Sequence, residues 1–96
     1  MKLNQVYDDG AFDLPLIDPI VYYTDDMRYK VIVSSPLKDI GRPERFITIG
    51  RYPYDDNSPP EVQVCEDILK ILDLENAILF PNIPGLKNNI VRYLIP

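Results

Sequence analysis

The chain has no histidine and only one cysteine in 96 residues. Without histidine it lacks the commonest general base and the commonest zinc ligand, and every Ser-His or Cys-His nucleophile pair is excluded. One thiol without histidine cannot build a structural zinc site, so metal chemistry would need an all-oxygen site for Mg²⁺, Mn²⁺ or Ca²⁺. Cys65 has no second cysteine for an internal disulfide, and its place in an apolar helical pattern predicts a buried thiol. There is no phosphate-binding glycine loop, no dinucleotide fingerprint and no nucleophile elbow. Long apolar runs are missing as well: Ala77-Ile78-Leu79-Phe80 is typical of the longest, far short of a bilayer span. Residues 1–5 lead into acidic residues rather than the apolar core of a signal peptide. These absences set the expectation of a cytoplasmic protein with no catalytic residues, no cofactor, no metal and no membrane partner.

The composition that remains is 46% hydrophobic with a formal net charge of −5, which suits one small folded domain over residues 1–96. The charge is segregated. Residues 1–27 carry one base against six acids, residues 28–51 six bases against two acids, and residues 52–96 three bases against seven acids. The middle segment therefore reads as a basic stretch in an acidic protein.

Ten prolines are spread along the chain and punctuate it. Residues 3–7 read as a short strand. Residues 8–19 (DDGAFDLPLIDP) read as an irregular proline-containing arm. Residues 20–23 and 28–33 are rich in β-branched and aromatic residues and predict a hairpin closed by residues 24–27. Tyr29, Val31 and Val33 share one face of the second strand, with Arg28 and Lys30 on the other. Residues 45–52 predict a further strand in which Gly50 marks a bulge or an end. Ser58-Pro59-Pro60-Glu61 reads as a capping box with prolines in the first helical turn. Val62, Cys65, Ile68, Leu69 and Leu72 follow at helical spacing, widened by Val64 and Ile71. Residues 77–80 read as a short buried strand or a helix-to-sheet connection. The tail, residues 90–95, fits either element; two asparagines before it favour a strand. The expected architecture is α+β: a mainly antiparallel sheet of about four to five strands with one amphipathic helix packed across it.

The chemical signature of the chain is a pair of aspartates just after a tyrosine, found three times: Tyr7-Asp8-Asp9, Tyr23-Thr24-Asp25-Asp26 and Tyr54-Asp55-Asp56. Aspartates favour turns because their carboxylates accept backbone N–H hydrogen bonds. A tyrosine on such a turn adds a flat apolar body with a polar tip, a combination suited to recognition. Tyr23-Thr24-Asp25-Asp26 resembles the Tyr-x-Asp-Asp box of reverse transcriptases. There the two aspartates sit at a hairpin turn and help hold the metal ions of nucleotidyl transfer; the resemblance covers these four residues alone. Residues 55–61 begin like a calcium loop but lack its glycine at the sixth position and its glutamate at the twelfth.

These features imply a non-enzymatic protein-binding module: a small inhibitor, adaptor or assembly subunit, comparable in size to accessory proteins of viruses and mobile elements. Tyr7, Tyr23 and Tyr54 would serve as anchors. Asp8, Asp9, Asp25, Asp26, Asp55 and Asp56 would face a basic partner surface. The alternative is nucleic-acid binding through Arg28, Lys30, Arg45 and Arg51 beside strand aromatics, and it requires those four to converge on one exposed face. An aspartate-based metal enzyme ranks third. Open sheet edges in so short a chain also suggest a homodimer.

Overall fold

Among the described residues, alternating and β-branched segments pair into one antiparallel sheet of six strands, crossed by a single helix. The computed structural model describes residues 1–7, 17–35, 45–52, 58–74, 76–80 and 89–95. The elements are β1 (Leu3–Val6), β2 (Ile17–Thr24), β3 (Tyr29–Ser35), β4 (Arg45–Arg51), α1 (Val62–Ile71), β5 (Ile78–Phe80) and β6 (Ile90–Ile95). Their order across the sheet is β1-β2-β3-β4-β6-β5. The arrangement is α+β, as the pattern predicts, with six strands rather than four to five. Because β6 lies antiparallel between β4 and β5, the latter two run parallel and α1 connects them over the inserted strand.

β2 starts earlier than the sequence suggests. The expected arm extended through Pro19, yet β2 begins at Ile17, which pairs with Ser35. A register shift between Ile17 and Ile20 accommodates Pro19, which has no N–H to give to a ladder. Asp18 takes a positive φ of 49° at this bulge, a conformation that aspartate tolerates better than most residues. The rest of the arm, residues 8–16, lies outside the described residues.

Register fixes the two faces. Tyr22, Val31, Ile49 and Val91 form one cross-strand row, and Ile20, Val33, Ile47 and Tyr93 the next. Cys65 and Ile68 of α1 close onto Val31, Val33, Ile47 and Ile49 to make the core, with Val64, Leu69 and Leu72 at its margin. Val62 and Ile71 are exposed, so the apolar stripe of the helix is narrower than its sequence implies. The opposite face carries Val21, Ile32, Thr48 and Arg92 in one row and Lys30, Gly50 and Ile90 in another. These are buried too. Both faces of β3 and β4 are thus withdrawn from water, which is why those strands read as nearly continuous apolar runs.

The capping box does not form. Residue Glu61 is the N-cap, in extended backbone at φ −64° and ψ 145°, and no side chain caps the helix. The two prolines precede the first turn instead of entering it. Each forces the residue before it toward extended backbone, so Ser58 and Pro59 stay out of the helix. Arg51 holds this lead-in: its Nε–H donates to Ser58 O at 3.2 Å and to Pro59 O at 3.3 Å. At the other end Asp73 adopts φ 57°. The N–H of Leu74 donates to Leu69 O at 2.9 Å and that of Asp73 to Lys70 O at 3.1 Å, the paired bonds of a Schellman stop.

Cys65 is buried, as its position in the apolar pattern predicts. Burial pushes its thiol pKa up, against a smaller opposing effect of its hydrogen bond with Tyr93. Tyr93 is pushed up to about 12, chiefly by its own burial and then by Cys65. Thiolate is the reactive form, so alkylation of the folded protein at pH 8 should be slow and become rapid in denaturant. Equal rates in both conditions would contradict the burial.

Candidate functional site

The β2–β3 hairpin tip is where the central Tyr/Asp motif becomes a three-dimensional object. Thr24 ends β2 and is fully buried, with its hydroxyl at the centre of the turn. Thr24 Oγ1 donates to Asp26 Oδ1 at 2.6 Å and accepts from the Tyr29 N–H at 3.2 Å. The same Asp26 oxygen accepts from the Arg28 N–H at 3.0 Å. The Met27 N–H closes the turn onto Thr24 O at 2.9 Å, and Met27 takes a φ of 61°. The Thr24 hydroxyl first, and the Arg28 N–H second, hold the Asp26 carboxyl below its ordinary range. Asp26 is therefore built into the turn.

Asp25 has a different role. Its N–H donates to Lys2 O at 3.0 Å and its Oδ1 accepts from the Lys2 N–H at 3.3 Å, tying the start of β1 to the tip. Its side chain stays exposed, as does that of Met27. Beside them Tyr23 and Tyr52 meet edge to face, ring centroids 5.1 Å apart at 75°. The Tyr52 N–H bonds to Arg28 O at 2.8 Å, which brings the end of β4 to the tip. Gly50, opposite Lys30, leaves its place in the row without a side chain, and the Lys30 ammonium lies 5.9 Å from the Tyr23 ring centre. The result is a tip that exposes two carboxylates, one of them fixed by the turn, a thioether and Arg28, with a tyrosine pair at the end of β4.

The three Tyr/Asp motifs do not all gather here. β1 runs from Leu3, opposite Thr24, to Val6, opposite Val21. Tyr7 therefore lies roughly 13 Å along the edge from that end. It is fully exposed. Asp8, Asp9, Tyr54, Asp55 and Asp56 lie outside the described residues. Three contributors to the tip were not among the sequence candidates: Lys2, Met27 and Tyr52. Tyr52 could have been found from strand alternation, because it stands two residues beyond Gly50, on the face that Tyr23 shares.

The basic candidates are dispersed. Lys30 is buried on the face opposite Arg45 and Arg51, not on a solvated polar face. Its long alkyl stem allows such burial while the ammonium finds polar surroundings. Arg45 and Arg51 sit at opposite ends of β4, about 20 Å apart along the strand. Arg51 is committed to the helix lead-in, with its guanidinium 5.6 Å from the Tyr29 ring centre. Arg28 is exposed beside the hairpin. The hairpin also matches the local shape of the Tyr-x-Asp-Asp box, but Asp26 is engaged by Thr24 and Arg28. Among the described residues no group of three or more His, Cys, Asp or Glu could hold a metal ion. No helix among them is long and apolar enough to cross a membrane.

The described residues form a small α+β domain with one helix on an antiparallel sheet. No family model, no curated protein and no solved structure matches the chain.

Proposed function

We propose that this chain is a non-enzymatic protein-binding module, an inhibitor, adaptor or assembly subunit, that uses the β2–β3 tip against a basic partner surface. The observation that carries this reading is the tip itself. Asp25 and Met27 are exposed on a turn held by six hydrogen bonds within residues 24–29 and to Lys2, and exposed Tyr52 is joined to it through the Arg28 carbonyl. A pre-ordered tip gives up little conformational entropy on binding, and tyrosine and methionine are residues enriched in interface cores. Asp25 supplies charge that steers and orients a basic partner.

The test is capture of partners by tagged protein from a lysate of the source cell, with half treated by nuclease. The expected result is a stoichiometric protein that survives nuclease and is lost with Asp25→Lys and with Tyr52→Ala. If Tyr52 is an anchor, its truncation should cost about 2 kcal/mol, roughly 30-fold in affinity. Circular dichroism must show both variants folded. Recovery of nucleic acid that depends on Arg28, with proteins released by nuclease, would overturn the reading in favour of nucleic-acid binding.

A further inference from the structure

Among the described residues, three other than glycine hold a positive φ: Asp18 at 49°, Met27 at 61° and Asp73 at 57°. Aspartate tolerates the left-handed region because its short polar side chain can hydrogen-bond locally. Methionine has no such means, and its Cβ crowds the following carbonyl oxygen. Met27 stands where the turn, closed by its own N–H on Thr24 O, leads back into β3. Glycine is the usual residue at such a position in a short hairpin loop. A single exposed apolar side chain needs no explanation. A strained one does, and Met27 is 51% exposed, so burial within this chain offsets little of the strain. The charges around it balance: exposed Asp25 and Asp26 stand against exposed Lys2 and Arg28. Charge can orient a partner on this tip, but affinity has to come from apolar contact.

We infer that Met27 is the apolar anchor of the tip, entering an apolar socket on the partner protein whose basic rim meets Asp25; this rests on the partner-binding reading above. Strain kept at an exposed position points to a function for the side chain that keeps it. Methionine suits the role, being unbranched, polarizable and enriched in interface cores. Its neighbours are fixed, Asp26 by Thr24 and the Arg28 N–H and Asp25 by Lys2, so the side chain is presented from an ordered base. A phosphate-bearing surface would be brought against both carboxylates, so a protein socket fits the tip better.

The test pairs stability with affinity. Met27→Gly and Met27→Asn remove the anchor and relieve the backbone, so each should raise the thermal midpoint, glycine by about 4 °C or more. Both should also weaken binding about tenfold or more. Affinity is read by calorimetric titration against the nuclease-resistant protein that the unmodified chain captures, once that protein is purified. Met27→Leu keeps an apolar side chain of similar volume and keeps the strain, so both readings should stay close to those of the unmodified chain. A merely structural Met27 would move stability without moving affinity. A midpoint for Met27→Gly no higher than that of the unmodified chain overturns the inference. So does full affinity in Met27→Gly where Asp25→Lys and Tyr52→Ala abolish capture; the partner-binding reading then stands without this anchor. Capture of no protein by the unmodified chain overturns both.

Discussion

Replacing Ile68 by alanine should lower the free energy of unfolding by about 2–5 kcal/mol, read as a reduced urea midpoint at an unchanged slope. Ile68 and Cys65 are the only described residues of α1 buried outright. They are what the helix contributes to the cluster formed by Val31, Val33, Ile47 and Ile49 of β3 and β4. The helix spans ten residues and has no side-chain cap, so it owes its stability to this packing rather than to its own propensity. Truncating Ile68 leaves a void against two central strands that are themselves held by paired neighbours and cannot close over it. A domain of this size has roughly 5–15 kcal/mol in all, so the loss is a large fraction of the total. Val62→Ala, on the exposed side of the same helix, should change stability by no more than about 0.5 kcal/mol. A loss below about 1 kcal/mol for Ile68→Ala would mean that the helix is not seated on the sheet as described.

This contrast shows what local pattern conveys. The 3.6-residue spacing from Val62 to Leu72 located the helix, but it did not separate Ile68 from Val62 and Ile71. Which part of an apolar stripe is covered depends on where the helix ends and on what lies beneath each turn. Likewise β-branched content located β2, β3, β4 and β6, because those residues suit a pleated surface packed on both sides. It did not reveal that Ala77-Ile78-Leu79-Phe80 would lie at an edge with two side chains exposed, since an uncharged strand reads as buried wherever it falls. Ser58 and Glu61 stood at capping-box spacing, but the intervening Pro59 and Pro60 set the backbone. Lys30 looked solvent-facing from alternation alone, which assigns a side chain to a face but does not say whether that face is covered; Lys30 is buried. At the site the turn was legible from Thr24-Asp25-Asp26, because these residues bond to their own backbone. The approach of Lys2 and Tyr52 was not, because it follows from pairings between segments far apart in sequence.

Thr24→Val is the second large effect, and it acts on the tip while leaving the shape of the side chain nearly unchanged. Valine fills the buried space but has no hydroxyl, so the N–H of buried Tyr29 and the Oδ1 of Asp26 each lose a partner at once. A buried N–H left without an acceptor costs about 1–3 kcal/mol. The remainder of the effect depends on pH. Asp26 has a folded-state pKa below its ordinary value of 3.8. The unfolded chain therefore takes up the proton first as pH falls. The stability gained from the ionised carboxylate is fully present above the unfolded value and is lost as pH drops through the folded one. Without the Thr24 hydroxyl, the largest cause of that depression, the folded pKa rises back toward the unfolded value. The stability gap between the two proteins should thus be widest at neutral pH and narrow below pH 4, down to the pH-independent cost of the orphaned Tyr29 N–H. Urea unfolding of both proteins from neutral to acid pH measures it. A gap of constant size at every pH would show that Asp26 owes nothing to Thr24. The turn would then have to be held by the Met27 and Arg28 N–H bonds alone, and the exposed Asp25 and Met27 would sit on a looser tip than a pre-ordered recognition surface requires.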